Sequence, residues 1–187
     1  MMRWTSSDLD QLPDREGERY EIIDGELYVS KQPHWHHQYV CLQLLAQLNA
    51  WSKETGLGQP NFAPGLIFSE DNDVVPDLVW ISYERLQSTL DKAGHIHLAP
   101  ELIVEVLSPG SANQKRDRQI KLELYSRSGV REYWIVDWLE RQVEVYRRRD
   151  GALEKVVALS ESDKLSSEGL PGFSCRVAGL FEGIETC

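Results

Sequence analysis

Two short apolar runs, each interrupted by a single carboxylate, constrain the fold of this chain more than any other feature. The first run is VVPDLVWIS, residues 74–82, which contains Asp77, and the second is LIVEVLS, residues 102–108, which contains Glu105. Runs this short and apolar are typical of strands that are buried on both faces of a sheet. Because an ionised carboxylate is costly to bury alone, each acid needs a counter-charge, a shifted pKa or a bound cation.

The segments around these runs predict an α+β chain. Asp24-Gly25 stands between two β-prone runs, which is a strong hairpin signal. Apolar residues at helical spacing predict a helix over residues 37–51. Three β-prone runs after residue 131 predict an antiparallel meander. Together these elements predict helices on either side of a mixed sheet whose middle strands carry acids.

A second helix is predicted between Glu105 and the meander. Ser111 and Gln114 have the spacing of a capping box, and the helix should run to about Ser128. Five residues of this helix fall on one face, at offsets of 0, 3, 4, 7 and 11: Asp117, Ile120, Lys121, Leu124 and Ser128. The apolar members mark this face as buried, so Asp117 and Lys121 are predicted to point inward. The neighbouring basic residues are predicted to point away from this face, where they can be solvated: Lys115, Arg116 and Arg118.

Length, charge and cysteine content restrict the class of protein. A chain of 187 residues fits one domain over residues 1–187. The net charge of −10 argues against general affinity for nucleic acid, so any DNA contact must depend on a local patch, a metal ion or a partner. No apolar run reaches the roughly 18 residues that span a bilayer, and the start of the sequence has no export signal. Three scattered cysteines favour a reducing compartment, and we expect a cytoplasmic protein without a membrane partner.

Two buried acids and an inward lysine suggest a chemistry. Carboxylates that converge on one point repel each other, and Mg²⁺ relieves that repulsion while it keeps water and substrate phosphate oxygens in its shell. A lysine beside them can orient or deprotonate a water molecule, or stabilise negative charge on a phosphoryl group. Asp77, Glu105 and Lys121 would therefore form a coherent site for phosphodiester hydrolysis. The alternative is a structural ion pair between Glu105 and Lys121.

A family resemblance extends over nearly the whole chain. The segments VPDLVWIS, ELIVEVLSPGS and RDRQIKLELYSRSGVREYWIVD resemble the Uma-type family of restriction endonucleases, which belongs to the PD-(D/E)XK nuclease superfamily. The resemblance implies a restriction-endonuclease-like α/β core and Mg²⁺-dependent cleavage of DNA, with Mn²⁺ as a possible substitute.

The resemblance also implies roles for individual residues. Asp77 matches the acid of the PD motif and Glu105 the acid of the (D/E)XK motif, so both are implied metal ligands. Where the superfamily pattern has a lysine, this chain has Leu107, and Lys121 on the following helix is the implied replacement. Asp117 would position Lys121 through an i,i+4 pair.

Two further residues match family positions and have open alternatives. His37 could contact a substrate phosphate, hold an acid, or be an ordinary core histidine. Glu21 could be a third acid near the metal, or it could pair with Arg19 or Arg3.

Three functions remain open on sequence alone. The first is an Mg²⁺-dependent DNA endonuclease, and because enzymes that cut both strands often act in pairs, we expect a homodimer. The second is a catalytically inactive nuclease fold that serves as an interaction module or as a subunit of a larger system, which the acidic charge and Leu107 favour. The third, a glycosidase that uses the two carboxylates, is disfavoured by the buried lysine and by the lack of an aromatic sugar platform.

Overall fold

A six-stranded mixed sheet lies at the centre of the fold, in a computed structural model that describes residues 3–9, 11–13 and 17–184. The strands of the described chain are β1 (Glu18–Ile23), β2 (Glu26–Lys31), β3 (Gly58–Phe62), β4 (Leu66–Ser69), β5 (Asn72–Val74), β6 (Leu78–Ser82), β7 (Leu102–Val106), β8 (Glu132–Asp137), β9 (Gln142–Arg149), β10 (Ala152–Leu159), β11 (Lys164–Ser166) and β12 (Ser174–Arg176). The helices are α1 (Ser6–Leu9), α2 (Trp35–Thr55), α3 (Tyr83–Thr89), α4 (Ser111–Lys115), α5 (Leu122–Arg127) and α6 (Val177–Leu180). A π-helical turn, Arg116–Lys121, joins α4 to α5.

The strand order of the central sheet is β10-β9-β8-β7-β6-β3. Its neighbouring strands run antiparallel, except β7 and β8, which are parallel. Parallel neighbours cannot be joined by a tight turn and need a crossover of a dozen or more residues. The crossover here consists of α4, the π-helical turn and α5, so the sequence between β7 and β8 must return across one face of the sheet.

The two faces of the central sheet bury different elements. In β7, Val104 and Val106 point to the face covered by α2, where they join a cluster with Val40 and Leu44. Ile103 and Leu107 belong to the opposite cluster, which includes residues of α5 and of a smaller sheet. Since side chains alternate along a strand, Glu105 lies on this second face, beneath the crossover helix.

The smaller sheet has the order β2-β1-β5-β4 and covers the second face together with the crossover. Its first two strands form the hairpin predicted from Asp24-Gly25, which is confirmed. Both turn residues have positive φ angles, 53° at Asp24 and 75° at Gly25. This is the type I′ conformation that an Asp-Gly pair favours.

The predicted fold class is confirmed: the chain is α+β, with helices on both sides of a mixed sheet. The helix predicted over 37–51 is α2, which is capped by Gly56 in the left-handed conformation. The predicted antiparallel meander is β8–β10.

Some local predictions were wrong. The residue before α4 is Gly110, and no side chain caps that helix, so the predicted capping box does not form. Gln114 accepts a hydrogen bond from Arg118 instead. The sequence also gave no indication of α3, nor of the π-helical turn, because the predicted periodicity assumed a regular α-helix throughout.

Cys41 and Cys175 are buried and not disulfide-bonded, whereas Cys187 lies outside the described residues. Among the described helices, none combines the length and the apolar character needed to cross a lipid bilayer.

Candidate functional site

Asp77 and Glu105 approach each other because of the pairing of β6 with β7. The last antiparallel pair of this ladder joins Leu78 to Val104, so one further step places Asp77 opposite Glu105. The Val106 amide donates a 2.9 Å hydrogen bond to Oδ2 of Asp77, which fixes this carboxylate beside β7. Directly opposed side chains of a ladder are separated by only about 5 Å at Cβ. The two acids are therefore neighbours on the same face of the sheet.

Lys121 reaches the acids from the crossover helix. Its ammonium group lies 3.0 Å from Oε1 of Glu105 and 2.9 Å from Oε1 of Glu21, and the side chain is 2% exposed. Leu107, at the position where the superfamily pattern has a lysine, packs instead in the apolar cluster of the second face. The structure thus brings the displaced lysine to the carboxylate that it was predicted to serve.

Glu21 and His37 also lie in this cleft. Of the alternatives for Glu21, the structure shows a pair with Lys121 rather than with Arg19 or Arg3, and Glu21 Oε1 also accepts a hydrogen bond from the Val75 amide. His37 occupies the first turn of α2, and its Nε2 lies 3.1 Å from Oδ2 of Asp77. His37 therefore holds an acid and is buried, which combines two of the alternatives left open for it.

The structure corrects the predicted roles of Asp117 and Arg116. Asp117 is buried and faces the cleft, but its ion pair is with Arg116, at 3.3 Å, and not with Lys121. The i,i+4 prediction assumed an α-helix, whereas the wider π-helical turn changes the angular offset between residues four apart. For the same reason Arg116, predicted to be solvated, lines the cleft.

The cleft encloses a cavity of about 40 Å³. A cavity needs at least about 10–15 Å³ to hold one water molecule, so this one has room for an ion or a few waters. Four carboxylates line it, together with four lysine or arginine side chains: Glu21, Asp77, Glu105, Asp117, Arg19, Lys31, Arg116 and Lys121.

Burial and crowding shift the pKa values of these groups in opposite directions. Burial, together with the charges of Asp77, Asp117 and Glu21, raises the pKa of Glu105 to about 8 despite the attraction of Lys121. Burial alone would also raise the pKa of Asp77, but the hydrogen bond and charge of His37, the charge of Lys121 and the Val106 amide together lower that pKa to about 2. Perturbed values of this kind concentrate at functional sites.

Lys121 remains protonated in the cleft. Burial tends to lower the pKa of Lys121, but the charges of Glu105, Glu21 and Asp117 outweigh burial and raise it above the ordinary value. Lys121 is therefore an ammonium ion at neutral pH and not a general base.

Carboxylate oxygens are available in the cleft for a hard cation. Glu105 uses Oε1 for its contacts with Lys121 and Tyr125, and among the described residues no hydrogen bond or ion pair reaches its Oε2. Mg²⁺ and Mn²⁺ prefer oxygen ligands and are commonly bound by one or two protein carboxylates plus water and phosphate oxygens. The residues present therefore fit such an ion.

A second possible ligand set is less suitable. The ligand atoms of His37, Cys41 and Asp77 lie within 4.8 Å of one another. The thiolate is the form that binds metals, and burial strongly raises the pKa of the Cys41 thiol. In addition, His37 and Asp77 already bond to each other, so this set fits a zinc ion poorly.

Sequence reasoning missed three side chains that contact the acids of the cleft. Arg19 lies 3.5 Å from Oδ1 of Asp77, and Arg116 pairs with Asp117. Tyr125 donates a 2.7 Å hydrogen bond to Oε1 of Glu105. Two of these had a signal in the spacing: Arg19 is two residues from Glu21 along a strand, and Tyr125 is four residues from Lys121 along a helix.

Comparison with known proteins places the chain in a family. A solved structure from Anabaena variabilis with the same fold is described as a "putative nuclease belonging to DUF820". It has a TM-score of 0.77 and 20% sequence identity, and the match covers 95% of this chain and 97% of the other. A search of curated proteins found no match. The Uma2 family model, described as "Putative restriction endonuclease", matches residues 6–178. Since this match spans most of the sequence, the protein belongs to the Uma2 family.

Proposed function

We propose that this protein is an endonuclease that hydrolyses phosphodiester bonds in DNA with Mg²⁺, or Mn²⁺ in its place. One observation carries the proposal: Asp77 and Glu105, from paired strands, line a single cleft with the ammonium group of Lys121. The family description and the nuclease with the same fold support it.

Asp77 and Glu105 are the proposed metal ligands. A bound divalent cation would supply a Lewis acid and would lower the pKa of an attacking water. The protein orients the ligands beforehand: the Val106 amide and His37 hold one oxygen of Asp77, and Lys121 holds one oxygen of Glu105. The hydrolysis itself joins the water oxygen to phosphorus and breaks the bond from phosphorus to the leaving oxygen.

Lys121 stabilises charge in this proposal. Because its pKa is raised, it would not remove a proton from water; it would instead donate a hydrogen bond to the attacking water or to a phosphoryl oxygen. The acids around it, Glu105, Glu21 and Asp117, favour its protonated form.

A local basic patch at the cleft would offset the acidic surface of the protein. Lys31 and Arg19 line the cleft on the side of the hairpin, and Arg116 lines it from the crossover. Phosphate groups are attracted to such cations even when the net charge is negative, because screening limits the reach of more distant charges to about 10 Å. The DNA strand is therefore proposed to enter between the hairpin and the crossover.

Nicking of supercoiled plasmid DNA tests this function. We expect wild-type protein with Mg²⁺ or Mn²⁺ to nick the plasmid, EDTA to stop the reaction, and Asp77→Asn to lack activity. Asp24→Asn is the matched control, because the same chemical change at an exposed turn residue, in a conformation that asparagine accepts, should leave activity intact. If wild-type and Asp77→Asn proteins behaved alike on every DNA, the proposal would be wrong.

A second candidate is a catalytically inactive nuclease fold. Its specific support is that Lys121 already pairs with two carboxylates, as a structural ion cluster would. Calorimetric titration with Mn²⁺ separates the two functions, since an inactive module need not bind metal through Asp77 and Glu105. The homodimer remains a prediction from mechanism, which analytical ultracentrifugation can test.

A further inference from the structure

Tyr125 makes a contact that the predicted metal site does not require. Its hydroxyl donates a 2.7 Å hydrogen bond to Oε1 of Glu105, the same oxygen that accepts a bond from Lys121 at 3.0 Å. Two donors therefore meet one carboxylate oxygen, and both come from the same helical segment, four residues apart.

We propose that Tyr125 is a positioning residue which, with Lys121, anchors one oxygen of Glu105 so that the other oxygen is presented to a divalent cation. This inference depends on the proposed function, because it assigns a task to Tyr125 in the same metal site. Tyr125 itself contacts neither the metal nor the substrate.

The anchoring matters because the carboxylate group of a glutamate can rotate. The terminal torsion of a glutamate is broad and roughly two-fold, so a free carboxylate samples many orientations. Two hydrogen bonds to Oε1 fix the plane of the group and leave Oε2 of Glu105, which has no hydrogen bond or ion pair with a described residue, available in the cleft that Glu105 lines. Such partners of a ligand commonly set both its orientation and its basicity.

Tyr125 is itself held rigidly. It is fully buried, its ring meets that of Tyr133 edge-on at 5.1 Å, and Phe68 packs at 6.3 Å. A ring fixed on two sides cannot swing its hydroxyl away from Glu105. The position of the hydroxyl is therefore set by packing, which makes it a suitable anchor for a metal ligand.

Another tyrosine of this chain provides a matched control. Tyr146 also donates from its hydroxyl to a buried carboxylate, Oε2 of Glu144, at 2.8 Å. Glu144 lies outside the cleft, and its two oxygens are also bonded to Arg118 and Lys155. Loss of the Tyr146 hydroxyl removes the same kind of hydrogen bond without affecting the metal site.

The test is Mn²⁺ titration of the full-length protein by calorimetry, without DNA. We expect Tyr125→Phe to weaken Mn²⁺ binding by about 10- to 100-fold, the range typical of partners of metal ligands. Tyr146→Phe should bind Mn²⁺ like the wild type. Thermal unfolding of both variants checks that each is folded, since phenylalanine keeps the packed ring. Equal Mn²⁺ affinity in Tyr125→Phe and wild type would overturn the inference.

The variants distinguish a failure of this inference from a failure of the proposed function. If Asp77→Asn bound Mn²⁺ as well as wild type, the metal site itself would be wrong. If Asp77→Asn lost binding and Tyr125→Phe did not, only the role of Tyr125 would be wrong. In DNA cleavage, positioning predicts that Tyr125→Phe needs more Mn²⁺ for half-maximal rate and recovers most of its rate at saturation, which a general loss of stability would not produce.

Discussion

The crossover segment takes part in two buried clusters of charged side chains, and the clusters differ in how completely their carboxylate oxygens are paired. The cleft cluster contains Lys121 and four acids, Glu21, Asp77, Glu105 and Asp117, and two arginines, Arg19 and Arg116, pair with Asp77 and Asp117. The distal cluster consists of Arg118 with Asp137 and Glu144, together with Tyr146 and Lys155. In each cluster one cation of the π-helical turn pairs with two carboxylates, and a tyrosine hydroxyl donates to one of them.

The carboxylate oxygens of the distal cluster are all paired. Arg118 and Lys155 supply charge for Asp137 and Glu144, and each oxygen of these two carboxylates accepts a hydrogen bond or an ion pair. Burial would raise the pKa of Glu144, but its contacts with Lys155, Tyr146 and Arg118 outweigh it and lower that pKa.

The carboxylate oxygens of the cleft cluster are less completely paired. Burial and neighbouring acids raise the pKa of Glu105 to about 8, and its Oε2 has no partner among the described residues. The comparison teaches that a buried acid is not by itself evidence of function. A carboxylate oxygen that has no partner beside a cavity distinguishes a candidate metal site from a structural ion cluster.

The largest expected effect is on DNA cleavage, which should depend on the cleft cluster and not on the distal cluster. Glu105→Gln should reduce metal-dependent DNA cleavage by about 10³-fold, equivalent to about 4 kcal/mol, because it removes a metal ligand. Glu144→Gln is the same chemical change in the distal cluster and should leave cleavage largely intact. The measurement is the initial nicking rate at equal concentrations of folded protein. A similar loss in both variants would show that the clusters are not functionally distinct.

The next largest expected effect is on the free energy of unfolding, to which the distal cluster should contribute more than an exposed ion pair does. Arg118→Met should lower the free energy of unfolding by about 3 kcal/mol, because it leaves the buried carboxylates of Asp137 and Glu144 without their main counter-charge. Arg127→Met, on the following helix α5, removes an exposed pair with Asp24 and should cost less than about 1 kcal/mol.

Urea unfolding monitored by tryptophan fluorescence measures both changes, and a constant m-value would show that the unfolded state is unaffected. A loss for Arg118→Met no greater than that for Arg127→Met would mean that the distal cluster contributes little to stability.

Much of this arrangement could be predicted from sequence because it depends on local patterns. The Asp24-Gly25 turn is encoded by two adjacent residues, and helix α2 by its spacing. Asp77 and Glu105 were predicted as buried acids since each lies inside an apolar run, and apolar runs must pair within a core.

The π-helical turn could not be predicted in this way. Within this turn, the carbonyl of Asp117 accepts a hydrogen bond from the Tyr133 hydroxyl, on a strand that follows later in the chain. No local residue pattern signals such an insertion, so the 3.6-residue period misplaced Arg116 in solvent and paired Asp117 with Lys121. The division of the strands into separate sheets was also missed, because strands of three or four residues, such as β4 and β5, carry little periodicity.

A third prediction concerns pH. With its pKa near 8, Glu105 carries a proton below that pH in the metal-free protein, and a metal ligand must lose it. Mn²⁺ affinity should therefore increase from pH 6 to pH 8 and then level off, with up to about tenfold, or 1.4 kcal/mol, lost for each unit below 8. Calorimetry in two buffers of different ionisation enthalpy would detect the released proton. Affinity that does not change between pH 6 and pH 8 would contradict the raised pKa.

The smallest expected effect lies at the edge of the distal cluster. Lys155 pairs with Glu144 at 2.9 Å, but its side chain is 46% exposed, so water screens the interaction. Lys155→Ala should lower the free energy of unfolding by less than about 1 kcal/mol, because Arg118 and Tyr146 remain in contact with Glu144. The measurement is the same urea titration as for Arg118→Met. A loss as large as that of Arg118→Met would show that both cations are needed, and that the distal cluster is less completely balanced than its contacts indicate.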